Sequence, residues 1–148
     1  MEPSPAVVKG VVYVGSADDN MYALKASTGK KLWAFTTGSY VPSSPAVANG
    51  VVYIGSSDRN VYAIKASTGT KLWSFTTGNL IYSSPAVANG VVYIQSLDGN
   101  VYALKASTGV KLWSAPVGGT FSSPAVVNGV LYFGSNDSNV YAYSLPRA

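Results

Sequence analysis

Apolar residues fall along the chain in short runs of strand length, separated by clusters of Gly, Ser, Asn and Asp. From Pro45 the chain reads Pro-Ala-Val-Ala, Asn49-Gly50, Val51-Val-Tyr-Ile, Ser56-Ser-Asp-Arg-Asn60, Val61-Tyr-Ala-Ile, Ser67-Thr-Gly69 and Lys71-Leu-Trp-Ser-Phe-Thr. No stretch of about ten residues holds the 3.6-residue apolar period of a helix. The separators suit strand reversals: Asn-Gly supplies positive φ for a tight hairpin, and Asp and Asn side chains bond their own turn backbone. The pattern predicts four short antiparallel strands. In Val51–Ile54 and Val61–Ile64 both strand faces are apolar, so the sheet must be covered on both sides.

The same writing recurs from Pro5, Pro85 and Pro124, with periods of 40, 40 and 39 residues. Repeats are therefore expected at 5–44, 45–84, 85–123 and 124–148 of a single 148-residue domain. Residues 45–78 and 85–118 are identical at 26 of 34 positions, which points to recent duplication or deliberate construction. Four-stranded units of this length, each between two like neighbours, describe an all-β fold, the β-propeller; a stacked solenoid is the competing arrangement. The fourth repeat gives three strands and then Leu145-Pro-Arg-Ala, where Ser-Thr-Gly and a tryptophan would follow. Fifteen strands are expected, with an open edge at Val140–Ser144 guarded by Pro146 and Arg147.

Two motifs, Ser-Pro-Ala-Val-x-x-Gly-x-Val-Tyr-x-Gly-Ser and Tyr-Ala-x-x-Ala-x-Thr-Gly-x-x-x-Trp, recur in register over residues 4–145. They resemble the quinoprotein (PQQ-like) propeller repeat with its tryptophan docking motif. The resemblance implies that Trp33, Trp73 and Trp113 fasten each blade to the next, against tight turns holding Gly29, Gly69 and Gly109. Where the family has Asp, this chain has Lys25, Lys65 and Lys105, with Tyr143 near that place in the fourth repeat. Symmetry makes the lysines an arc of positive charge, read either as solvated turn lysines or as an anion site. Quinoprotein dehydrogenases of this resemblance carry a calcium-ligating Glu/Asn/Asp set, a catalytic Asp and often adjacent cysteines. None can be placed residue by residue here, so no cofactor is carried over.

Composition narrows the rest. There is no histidine and no cysteine, and Glu2 is the sole glutamate, which leaves no Ser-His or Cys-His nucleophile and no paired carboxylates. The Ser-x-Asp-x-Asn turns look superficially like calcium loops but lack the remaining ligands; turn chemistry explains them, and no metal is expected. Net charge is +4, spread without any basic run, so nucleic acid is not an expected partner. The N-terminus has no signal-peptide pattern and no apolar run approaches the ~18 residues of a membrane span, so no membrane association is expected. The resemblance alone weakly suggests an extracytoplasmic place.

The repeats differ most in the connections between them, and there binding is expected: Tyr40, Asn79, Tyr82, Thr120 and Phe121. Packing between neighbouring loops is the plainer reading of the same residues. Four repeats look like half of an eight-bladed ring, so a head-to-tail homodimer is expected, with a single four-bladed ring or a fragment of a longer propeller as alternatives. The function expected is a non-catalytic scaffold or binding module with a possible protein partner. The alternatives are a partial or degenerate PQQ-dependent dehydrogenase and an engineered repeat protein without a biological task.

Overall fold

The protein is described by a computed structural model, which covers residues 2–119 and 121–145. It folds into four antiparallel sheets in chain order. The first holds β1 (Ala6–Val8), β2 (Val11–Gly15), β3 (Asn20–Lys25) and β4 (Lys31–Thr36). The second holds β5 (Ala46–Ala48), β6 (Val51–Gly55), β7 (Asn60–Lys65) and β8 (Lys71–Thr76). The third holds β9 (Ala86–Ala88), β10 (Val91–Gln95), β11 (Asn100–Lys105) and β12 (Lys111–Pro116). The fourth has three strands among the described residues: β13 (Ala125–Val127), β14 (Val130–Gly134) and β15 (Val140–Ser144). Pro146 and Arg147, expected to guard its edge, lie outside the described residues.

The hairpin between β5 and β6 shows why Asn-Gly recurs. Asn49 has φ 50° and Gly50 φ 75°, two successive left-handed residues, which is the geometry of a two-residue turn that matches strand twist. Each complete sheet also carries one bulge. In the second, Ala63 faces Trp73 but Ile64 faces Lys71, so Leu72 has no partner and turns outward.

The sheets pack face to face through three apolar cores. One lies between the first and second sheets, with Met21, Ala23, Val52, Ile54 and Ile64; the others repeat it between the second and third and between the third and fourth. This explains the missing alternation in the strands. Residues of β6 and β7 are buried on both faces because a sheet lies on each side, whereas β15, with nearly the same sequence as β7, alternates exposed and half-buried. A serine relay ties the inner segments together: Ser4 N–H donates to Ser44 Oγ at 2.8 Å, Ser44 N–H to Ser84 Oγ at 2.8 Å, and Ser84 N–H to Ser123 Oγ at 2.9 Å.

The register corrects one assignment. Val130 pairs with Ser144 as Val11 pairs with Lys25, so Ser144, and not Tyr143, occupies the lysine position of the fourth repeat. One further departure was not foreseen. At the place of Gly15 and Gly55 the third sheet has Gln95, fully buried, with neither side-chain amide atom hydrogen-bonded. A Cβ on Gly15 or Gly55 would meet Val41 or Ile81 at 2.6 or 2.3 Å. The linker after the third sheet is one residue shorter, and Thr120 stands at the corresponding place in sequence.

Candidate functional site

Antiparallel blades sort the candidate residues onto two opposite ends. The linkers from each outer strand to the next inner strand share one end with the Ser-x-Asp-x-Asn turns. The Asn-Gly hairpins and Ser-Thr-Gly turns, with the three lysines, occupy the other.

At the linker end, backbone bonds hold each connection against its neighbours. Thr37 N–H donates to Asp19 O at 2.8 Å, Val41 N–H to Ser16 O at 3.0 Å and Ser57 N–H to Tyr40 O at 3.1 Å. Ser56 Oγ donates to Ser39 O at 3.1 Å. Loops pinned in this way present their side chains from a fixed platform. Tyr40 and Tyr82 lie with ring centroids 5.8 Å apart, and Tyr82 and Phe121 5.3 Å apart, both tilted. The three aromatics, drawn from three successive linkers, form one row whose last member, Phe121, is half exposed. A hydrogen bond with Tyr40, then burial, raises the Tyr82 hydroxyl above the usual phenol range. Asn79 is occupied on both sides of its amide: its Oδ1 accepts Leu80 N–H at 2.8 Å and its Nδ2–H donates to Leu97 O at 3.5 Å. Thr120 lies outside the described residues.

The acidic turns do more at this end than turn chemistry requires. Asp58 Oδ2 accepts Tyr62 Oη–H at 2.6 Å and also Gly38 N–H, from the preceding linker, at 2.7 Å. Asp98 repeats this with Tyr102 at 2.7 Å and Gly78 at 2.8 Å. Each carboxylate thus latches its sheet to the one before. The sequence carries a signal for this, a Gly-to-Asp spacing of 20 residues written twice. Asp18 accepts the Tyr22 hydroxyl at 2.6 Å and Asp137 that of Tyr141.

These bonds set the pH response. Tyr22 holds Asp18, and Tyr141 holds Asp137, down at about 2. Burial opposes ionisation of Asp58 and Asp98, but the tyrosine and backbone donors outweigh it and lower both. Burial and then Asp98 push Tyr102 up to about 12, and Tyr62 moves the same way. A depressed carboxylate contributes stability above its unfolded pKa of about 4 and loses it as pH falls towards 2. A raised tyrosine contributes below its unfolded pKa of about 10 and loses it as pH climbs through 10 to 12. Histidine and cysteine, whose ordinary pKa values fall between, are absent. Urea midpoints measured against pH are therefore expected to be flat from about pH 5 to 9 and to fall on both sides. A step near neutrality would contradict this assignment.

At the opposite end Lys25, Lys65 and Lys105 are exposed. Each accepts two turn N–H bonds at its carbonyl, as Lys65 does from Thr68 at 3.2 Å and Gly69 at 2.8 Å. Lys65 flanks a cleft between the first and second sheets with Tyr13, Trp33 and Gly50; Lys105 flanks its counterpart with Tyr53 and Gly90. Here the tryptophans cross from sheet to sheet. Trp33 Nε1–H donates to Ala66 O and Trp73 Nε1–H to Ala106 O, each at 2.8 Å. Gly69 and Gly109 lie under those rings, where an added Cβ would come within 2.7 and 2.5 Å. Trp113 packs against Tyr93 at 6.1 Å, and among the described residues Gly29 faces no ring.

A family model described as outer membrane protein assembly factor BamB matches residues 1–81 and 78–146. No curated protein matches the chain. Among solved structures, BamB from Moraxella catarrhalis aligns with a TM-score of 0.79 at 23% identity, over 92% of this chain and 43% of its own. The computationally designed Ika4 protein aligns with a TM-score of 0.83 at 20% identity, over 99% of this chain and 94% of its own. Quinohemoprotein alcohol dehydrogenase ADHIIG from Pseudomonas putida HK5 aligns with a TM-score of 0.77 at 26% identity, over 90% of this chain and 28% of its own. The chain thus spans under half the length of that BamB and of that dehydrogenase.

Proposed function

Since the chain belongs to the outer membrane protein assembly factor BamB family of β-propeller repeats, we propose that it is a non-catalytic scaffold that binds a protein partner and assembles head to tail with a second copy. An extracytoplasmic place of action goes with this reading. The partner surface is the linker end, where a row of aromatics stands on pinned backbone, the arrangement that supplies contact area at low entropic cost.

One observation carries the assembly. Val140 is 79% exposed, whereas the residues at the same repeat position, Met21, Val61 and Val101, are each 0% exposed. Tyr132 is 42% exposed against 4, 3 and 5% for Tyr13, Tyr53 and Tyr93. The last sheet therefore shows solvent the face that a following sheet covers in the other three. The first sheet shows the reverse face: Val12, Val14, Tyr22 and Leu24 are only half-buried, where Val52, Ile54 and Ile64 are fully buried. Each face is the mate of the other by sequence equivalence, so a twofold pair of chains would close eight sheets into a ring.

Light scattering at micromolar concentration is expected to give twice the chain mass of 15.4 kDa. Val140→Asp, which places a charge on the covered face, is expected to return the protein to single chains with its fold intact. A stable single chain for the unaltered protein would sink the proposal.

The likeness to ADHIIG favours a second reading, a portion of a PQQ-dependent dehydrogenase. The donors do not fit calcium: Asp58 and Asp98 are engaged by tyrosine and backbone, and no group of three potential metal-ligating side chains occurs among the described residues. Dye-linked alcohol oxidation with added PQQ and calcium tests it, with activity lost on chelation as the result that would favour it.

A further inference from the structure

In the complete sheets the outer strand does two things at once. β8 pairs along β7, and its Trp73 reaches the third sheet, donating to Ala106 O and lying over Gly109. The described residues hold both halves of another such site, neither with a strand in it.

One half is the outer edge of β15, which among the described residues pairs only with β14. In the first sheet Lys25 N–H donates outward to Lys30 O while Ala26 N–H donates inward to Gly10 O. By that alternation Val140, Ala142 and Ser144 aim their backbone groups at the open edge. A cleft walled by Trp113, Ala115, Ala142, Tyr143 and Ser144 runs beside it and supplies apolar surface. The other half is the turn at Gly29. A Cβ there would meet nothing within 4 Å, while on Gly69 and Gly109 it would strike an indole.

We infer that the β15 edge is a strand-addition site for an extended peptide segment of the pattern Lys-Leu-Trp-x-Phe-Thr, with the segment's tryptophan destined for the turn at Gly29 of a following first sheet. The chain itself identifies this occupant. It writes the strand at Lys31–Thr36 and Lys71–Thr76 and seats it in the same register both times, Ala23 against Trp33 and Ala63 against Trp73. Ala142 is the equivalent position on β15, by its pairing with Tyr132 as Ala23 pairs with Tyr13. Main-chain bonds to an open edge give such a ligand its affinity, and alternate side chains give it specificity. Pairing at β15 needs only one chain. The Gly29 half rests on the head-to-tail assembly proposed above.

The test uses the whole chain and a fluorescein-labelled peptide with the sequence of residues 70–77, Thr-Lys-Leu-Trp-Ser-Phe-Thr-Thr, followed by anisotropy, with light scattering on the same samples. Saturable binding is expected. A scrambled peptide, and the peptide with alanine for tryptophan, are expected to bind at least about tenfold more weakly. Ala142→Pro removes one outward N–H on an edge where proline is tolerated, and is expected to weaken binding about tenfold with the fold kept, as read by circular dichroism. Gly29→Asn keeps the left-handed turn but fills it, and is expected to make binding indifferent to the peptide's tryptophan wherever scattering shows the pair of chains. Equal binding by the scrambled peptide, unaltered binding by folded Ala142→Pro, or no binding at ~1 mM overturns the inference. So does a pair of chains that excludes the peptide, since a second copy would then cover the edge. Peptide binding by a single chain would leave the β15 site standing and refute the assembly.

Discussion

Trp73→Ala is expected to lower the unfolding free energy by about 3–5 kcal/mol, read as a drop in urea midpoint at unchanged slope. The indole fills the space over Gly109, stacks obliquely on Tyr53 at 5.9 Å and donates its N–H to Ala106 O. Removing it opens a cavity at a sheet-to-sheet contact and leaves the Ala106 carbonyl with only the longer bond from the Tyr53 hydroxyl, at 3.3 Å. Against a total of about 5–15 kcal/mol, that is a large share. Trp73→Phe separates the two contributions, because it keeps a ring in the space and loses only the N–H; about 1 kcal/mol is expected. If Trp73→Ala cost no more than Trp73→Phe, the tryptophan would not be the fastener between sheets.

The second large effect compares glycines that the sequence writes identically. Gly109 has φ 73°, and an added Cβ would sit 2.5 Å from Trp73 Cε3. Gly109→Ala therefore combines a left-handed alanine, about 1–2 kcal/mol, with overpacking, about 1–3 kcal/mol. Gly29 has φ 69° but an open space before it, so Gly29→Ala is expected to cost only the backbone part. Thermal melts of the two variants should differ by several degrees. Equal melting would mean that a ring covers Gly29 as well, as in a ring closed by a tryptophan from another segment.

Much of this architecture was legible because its causes are local. Asn49-Gly50 forces a tight reversal, the Ser-Thr-Gly turn another, and two-faced apolar strands require a sheet on each side. The number and order of the strands in the three complete sheets follow from those rules read at a 40-residue period. The site was less legible. Tyr40 and Tyr82 could be named as loop aromatics, but their 5.8 Å approach and the link to Phe121 depend on how three linkers crowd at one end. Asp58 could be read as a turn residue, but its bond to Gly38 joins residues 20 apart across two sheets. Gln95 gave no sign of being buried with its amide unpaired among the described residues, because burial is decided by packing between sheets.

What the sequence determined by itself was the blade: strand, turn and register are set by neighbours within a few residues, and the repeat copies them. What only the tertiary structure decided was which copies are alike in fact. Val61 and Val140 stand in nearly the same local sequence, yet one is buried and the other bare, because burial belongs to the packing of whole sheets and, among the described residues, the fourth sheet has a neighbour on one side only.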